Sequence, residues 1–144
     1  MKNNTLWVWL LIVCFLLVVV LFFTTNIQTL RKGNNEIQTI NSEYEEYANG
    51  SVNGLDITTI INKAVSHNEN KLIDKDEEGN YVDDDNRIVI YVTFDGNTYR
   101  MERLNKVGIE PFIELFGAVD FTCVSKEYHD SGMISSMTFE AKDY

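Results

Sequence analysis

One proline, two cysteines and few basic side chains in 144 residues each remove a class of protein. With so little proline and no low-complexity tract, the chain is not largely disordered. Cys14 lies inside an apolar run and Cys123 far along the chain, so the pair cannot form an intrachain disulfide. A lone Cys123 reads first as a small core residue and only second as a redox or nucleophilic thiol. Twelve Lys and Arg stand against twenty-two Asp and Glu, a net charge of −10. The first acid is Glu36, and from Gly33 onward nine basic residues meet all twenty-two acids, leaving about −13. Such a surface repels phosphate backbones, so nucleic acid is not an expected partner. Also missing are a Gly-rich phosphate loop, Cys-x-x-Cys, His-x-x-x-His and G-x-S-x-G. The chain reads as non-enzymatic, with length for one domain and one core.

What is present begins with Leu6–Phe23, eighteen residues without a charge, glycine or proline. As a helix they span about 27 Å, roughly one hydrocarbon core. Trp7 and Trp9 at one end and Phe22 and Phe23 at the other suit the two interfaces. A cleaved signal peptide is the rival reading. The TTNIQTL that follows contains no A-x-A site, and a lipoprotein reading at Cys14 meets bulky Val13 where a small residue is required. Residues 1–25 are therefore read as an uncleaved single-pass membrane anchor in contact with lipid. Lys2 and the α-amino group nearly balance Arg31 and Lys32 across it. The short N-terminal tail and the distal acids favour an extracytoplasmic C-terminal domain.

Residues 26–50 read as a helical stalk. Leu30, Ile37 and Tyr44 recur every seven residues, and Ile40 and Tyr47 follow three behind the last two. Gly33-Asn34-Asn35 interrupts this stripe. Two readings stay open: the stripe docks on the distal domain's own sheet, or it pairs with a partner helix, which includes self-association. Leu30, Ile37, Ile40, Tyr44 and Tyr47 are the candidate interaction residues.

The remaining residues, 51–144, are expected to form an α+β domain, one helix packed on a mainly antiparallel sheet. Ile57, Ile60, Ile61, Ala64 and Val65 mark one helical face from Asp56, the expected N-cap, to about Asn68. His67 suits the C-terminal end of that helix. Lys71–Ile73 and Tyr81–Val82 are expected to pair as a short hairpin. Arg87–Phe94 and Thr98–Glu102 flank an Asp95-Gly96 turn, a strong hairpin signal. Ile109–Phe116 is a short helix with Pro111 in its first turn, Gly117 at its end and Phe112, Ile113 and Phe116 facing the core. Phe121–Tyr128 and Met133–Glu140 are two further strands.

The densest candidate chemistry is Asp74–Asp85, with seven acids and one lysine. Set on an EF-hand loop, Asp74, Asp76 and Glu78 take the first three ligand positions, Gly79 the turn and Asp85 the last ligand position. Oxygen donors of this kind suit Ca²⁺, and no other cofactor is expected. Val82 at the ninth position, Asp85 in place of Glu and a following strand depart from the pattern, and the same residues make an ordinary solvated turn. Cys123 and His129 are six residues apart on one strand, roughly 20 Å if extended, too far for a hydrogen bond.

In order along the chain, NSEYEEY (Asn41–Tyr47), GLDITTIINKAVSHNE (Gly54–Glu69), KDEEGNYV (Lys75–Val82), TYRMERL (Thr98–Leu104), FTCVSKEYH (Phe121–His129) and SGMISSMTFE (Ser131–Glu140) resemble a mostly uncharacterised group of small membrane-anchored proteins of clostridia and related Firmicutes. The resemblance covers nearly all of the chain after the anchor and implies no activity, catalytic residue or binding residue. The order of parts is also similar to that of type IV pilins and pseudopilins. The Gly before the apolar segment and the Glu five residues into it are missing: Asn3-Asn4-Thr5 precedes the run, and Leu6–Phe23 holds no Glu. The expected role is a membrane-tethered component or accessory of an envelope, pilus-like or secretion assembly. The alternative is a displayed binding module using the acidic loop.

Overall fold

A computed structural model describes residues 2–142. Met1, whose α-amino group enters the charge balance above, lies outside the described residues. The chain divides into two compact units, Met1–Ile37 and Gln38–Tyr144.

The first unit is helical. Helix α1, Lys2–Ala48, starts in it and runs without a break through Gly33-Asn34-Asn35, where the apolar stripe is interrupted but the helix is not. One glycine costs a helix only about 1 kcal/mol, which its neighbours offset. Every residue from Trp7 to Phe23 is exposed except half-buried Val19. Just past the apolar run, polar side chains bond back into their own helix. Thr25 Oγ1 donates to the carbonyls of Leu21 and Phe22, and Asn26 Nδ2 donates to Phe22 O at 2.7 Å. These donors are satisfied without water.

The second unit, Gln38–Tyr144, opens with the last turns of α1. Strand β1 (Ser51–Asn53) leads directly into helix α2 (Gly54–Asn70). Asn53, not Asp56, is the N-cap. Its side-chain oxygen accepts from the Leu55 and Asp56 amides, while Asp56 reaches back to the Asn53 amide, a capping box. Ile57, Ile60, Ile61 and Ala64 are buried on the expected face. Gly54 sits so close to the backbone at Phe116 that a Cβ there would collide with the Phe116 carbonyl oxygen.

Helix α2 ends in a Schellman motif, with the Ile73 amide on Asn68 O and the Leu72 amide on Glu69 O, both at 3.0 Å. The left-handed position usual for glycine is held by Leu72, at φ 56°. From there to Asn86 the chain forms turns. In place of the expected hairpin there is one isolated bridge, between Lys75 and Tyr81.

Strands β2 (Val89–Phe94) and β3 (Asn97–Arg100) form the expected hairpin, with Asp95 and Gly96 both at positive φ. β3 stops at Arg100. Met101 and Glu102, expected in the strand, instead open helix α3 (Met101–Val107), because Met101 and Leu104 both turn into the core. Helix α4 (Ile109–Phe116) buries Phe112 and Phe116 but leaves Ile113 half-exposed. Strands β4 (Asp120–Tyr128) and β5 (Ile134–Ala141) complete a sheet of order β1-β4-β5-β2-β3. The sheet is mixed, since β5 pairs antiparallel with β4 but parallel with β2.

Register puts Ile90 beside Met137 and Val92 beside Phe139 on one buried face. Rings of α4 touch that face: Phe112 lies 6.1 Å from Phe121 and Phe116 4.4 Å from Phe94, centroid to centroid. The opposite face carries Tyr91, Thr93, Thr122, Thr138 and Glu140, none of them buried. The unit is thus two layers, helices on one side of a sheet and solvent on the other. Two asparagines tie helices to the sheet by imitating a strand. Asn68 Nδ2 donates to Ile88 O at 2.8 Å while its Oδ1 accepts from the Ile88 amide at 2.9 Å. Asn41 does the same with Gly132 O (2.8 Å) and the Ile134 amide (2.9 Å).

Candidate functional site

The acidic loop is organised by its own backbone. Asp76 Oδ1 accepts from the amides of Asn80 (2.8 Å) and Glu78 (3.0 Å), and Oδ2 accepts from Asn80 Nδ2 at 3.2 Å. The Asn80 amide, then the other donors, hold the Asp76 carboxyl below the usual carboxylate range. Gly79, at φ 90°, makes the turn. Glu78 shares the Asn80 amide group at 3.3 Å, and Asp74 takes part through its backbone carbonyl, bonded by the Val82 amide. Asp74, Asp76, Glu78 and Asp85 are all exposed, and among the described residues no three His, Cys, Asp or Glu side chains form a group able to hold a metal ion.

What fixes this loop is a clasp that the motif comparison does not reveal. Arg100 forks onto Glu102, Nε to Oε2 at 3.2 Å and Nη2 to Oε1 at 2.8 Å. Glu102, nearly buried, also accepts from the Tyr81 amide, and the Tyr81 carbonyl accepts from both Arg100 and Arg87. The ring of Tyr81 is buried beneath Lys75, whose Nζ stands 4.5 Å from its centroid. A charged pair thereby pins one aromatic residue of an otherwise solvated loop.

The stalk residues fall in both units. Leu30 is exposed on the first, which ends at Ile37. In the second, Tyr44 is only 2% exposed, and burial, helped by the charge of Glu43, pushes its phenol well above the usual value. Ile40 and Tyr44 line an open groove of ≈ 530 Å³ with Thr59, Lys63 and His67 of α2. Tyr47 carries Lys63 Nζ 5.1 Å above its ring.

The suspected thiol–imidazole pair has other partners. Cys123 Sγ donates to Ser125 O at 3.4 Å, and burial pushes the thiol up. His129 Nε2 pairs with Arg87 O at 2.7 Å, and His67 Nε2 with Asn86 O at 2.9 Å.

A markedly apolar pocket of ≈ 250 Å³ lies beside the edge strand β3. Its walls are Phe94, Tyr99, Leu104, Pro111, Phe112 and Leu115, and Arg103 is its one charged lining residue. Phe94 and Tyr99 stack at 4.6 Å, and the Arg103 guanidinium lies 5.2 Å from the Tyr99 centroid. From sequence Phe94, Tyr99, Pro111, Phe112 and Leu115 read as ordinary strand or helix positions and Arg103 and Leu104 as neither, and only the fold brings them together.

The chain matches no family model, no curated protein and no solved structure.

Proposed function

We propose that the chain is a single-pass, membrane-tethered, non-enzymatic protein that presents its α+β unit outside the cell as a component or accessory of an envelope, pilus-like or secretion assembly. In this reading it belongs with the small membrane-anchored proteins of clostridia and related Firmicutes that it resembles, and shares a pilin-like order of parts without pilin processing.

The observation that carries the reading is the apolar stretch of α1. A helix exposed on every side from Trp7 to Phe23 is out of place in water and suited to lipid, and its flanking Thr and Asn donors are satisfied internally. One such helix passes the length test for a signal sequence as well, so the experiment must detect cleavage.

Protease shaving of intact protoplasts, with mass spectrometry of the fragment left in the membrane, tests both points. Loss of the folded unit with Trp7–Phe23 retained is the expected result. A protected unit puts the domain in the cytoplasm, and a fragment starting after Phe23 means cleavage; either overturns the proposal.

A further inference from the structure

Just past its apolar run, helix α1 is helical without a cover and without the composition to be so alone. Every residue from Thr24 to Asn35 is exposed. Arg31 and Lys32 offset the one glycine, but six Thr and Asn among these twelve residues weaken the stretch as a whole. Thr25 and Thr29 bond back to carbonyls four residues earlier, which bends a helix more than it supports one. A polar helix of this kind takes most of its stability from packing one face on a neighbour.

The apolar residues show which face. Phe23, Ile27, Leu30, Asn34 and Ile37 follow one another in steps of four and three, a heptad seam with Ile27 and Asn34 at a and Leu30 and Ile37 at d. Ile27 and Leu30 are 47% and 69% exposed. The next two places of the seam are Asn41 and Tyr44, where the second unit supplies the cover. Asn41 bonds Gly132 and Ile134, and Tyr44 is buried. The seam is thus a packing face in use from Asn41 onward and open between Phe23 and Asn34.

Three features choose a second copy as the cover. A β-branched residue at a with Leu at d favours two parallel strands, and a single Asn at a fixes their register by meeting the same Asn of the partner. Identical anchors in one bilayer hold two copies parallel and at equal depth, which is that register, and raise their effective concentration. Across the seam Asn26 faces Arg31 and Gly33 faces Gln38, so no like charges meet, while Lys32 and Glu36 lie on the outer side.

We infer that α1 pairs with α1 of a second copy as a parallel two-helix coil through Phe23, Ile27, Leu30, Asn34 and Ile37, the two Asn34 side chains bonded to each other. The contact is two-fold and closed, so it yields a dimer rather than a row of subunits. The inference deepens the assembly reading above and rests on its membrane anchor.

The test uses the full chain in its own membrane, with Cys14 and Cys123 replaced by alanine, one new cysteine at a time between positions 27 and 37, and a mild oxidant. Disulfide-linked dimers are expected from Ile27→Cys, Leu30→Cys, Asn34→Cys and Ile37→Cys, at about five times or more the yield of Gln28→Cys, Lys32→Cys and Asn35→Cys, whose Cα atoms stand too far apart. Adding Leu30→Asp to Ile37→Cys places a charge in the seam and is expected to lower that dimer about tenfold or more. Leu30 is exposed in the single chain, so this substitution leaves the fold itself alone.

Equal yields all round the helix, a maximum at Gln28 or Lys32, a dimer untouched by Leu30→Asp, or adducts of position 30 with a different protein in place of dimers would each overturn the inference. A general amine crosslinker on the unsubstituted chain separates the two levels. Products there without the seam pattern sink the α1 pair and leave the assembly reading standing. No product in either experiment removes both.

Discussion

Replacing Asn68 with alanine deletes two hydrogen bonds and strands two backbone groups, the Ile88 N–H and C=O. Asn68 and Ile88 are both 0% exposed, so water is excluded from the vacated position. Each buried group left without a partner costs about 1–3 kcal/mol, and release of the ordered side chain returns about 1, for an expected loss of about 3 kcal/mol. Asn41→Ala removes the same two kinds of bond, to Gly132 O and the Ile134 amide, but Asn41 is half-exposed and Gly132 exposed. Water can replace the partner of the Gly132 carbonyl but not that of the Ile134 amide, on a residue 0% exposed; one stranded group less the freedom regained by the side chain gives an expected loss of about 1 kcal/mol. For a unit of this size about 4 °C accompanies each kcal/mol, so Asn68→Ala should lower the melting temperature by about 12 °C and Asn41→Ala by about a third of that. The assay is thermal unfolding of the full chain in micelles, followed by near-UV tyrosine ellipticity, together with hydrogen exchange at the Ile88 amide. Equal losses for the two variants, or an Ile88 amide still protected in Asn68→Ala, would refute the idea that exclusion of water sets the cost.

Leu72→Gly removes a leucine from a left-handed position and should raise stability by about 1 kcal/mol, read in the same melts; a loss would mean that the side chain has a stabilising contact. Gly54→Ala should cost about 1–3 kcal/mol, because its methyl meets the Phe116 carbonyl and α2 and α4 must part; an unchanged melting temperature would contradict that close approach. Burial raises the phenols of Tyr44 and Tyr81, so the folded chain keeps protons that the unfolded chain releases above about pH 10. Stability is therefore expected to fall as pH rises beyond that point, and Tyr44→Phe should make the fall shallower between about pH 10 and 11.5. Identical slopes in the two proteins would exclude Tyr44 as a source.

Where a periodic apolar face decided the structure, sequence was sufficient. The spacing of Ile57, Ile60, Ile61 and Ala64 gives α2, and Asp95-Gly96 gives the β2–β3 turn. The α2 cap was misplaced because Asn53 and Asp56 are both capping residues three apart, and the capping box uses them in opposite senses. Helix α3 was hidden by Tyr99 and Arg100, which extend the strand signal. At seven residues it is too short to form on propensity alone and depends on burying Met101 and Leu104. The three residues of β1 are too few to show a period. The parallel pairing of β2 with β5 joins positions nearly fifty apart, on which local pattern carries no register information. The Arg100–Glu102 clasp escapes local pattern as well, since it closes on Tyr81 about twenty positions earlier, and the apolar pocket forms only when β3, α3 and α4 fold back on one another within residues 94–116. The acidic loop was conspicuous for the opposite reason, since its charge is visible along the chain while its engagement with its own amides is not.

On the proposed topology, with the folded unit outside the cell, the position of β5 bears on how the chain would cross a bilayer. β5 follows every other strand in the chain yet lies in the middle of the sheet, the one link between the β1–β4 pair and the β2–β3 hairpin. Until Ile134–Ala141 is available, the earlier strands form two pairs with no strand to hydrogen-bond between them. Loop closure over that span must precede any of the stabilising contacts it brings. A polypeptide fed through a translocation pore N-terminus first, or looped through it from an inserted helix, therefore cannot close its sheet halfway and jam. If the unit is exported as proposed, it would stay threadable until its last strand has cleared and gain the sheet's full cooperativity in one late step.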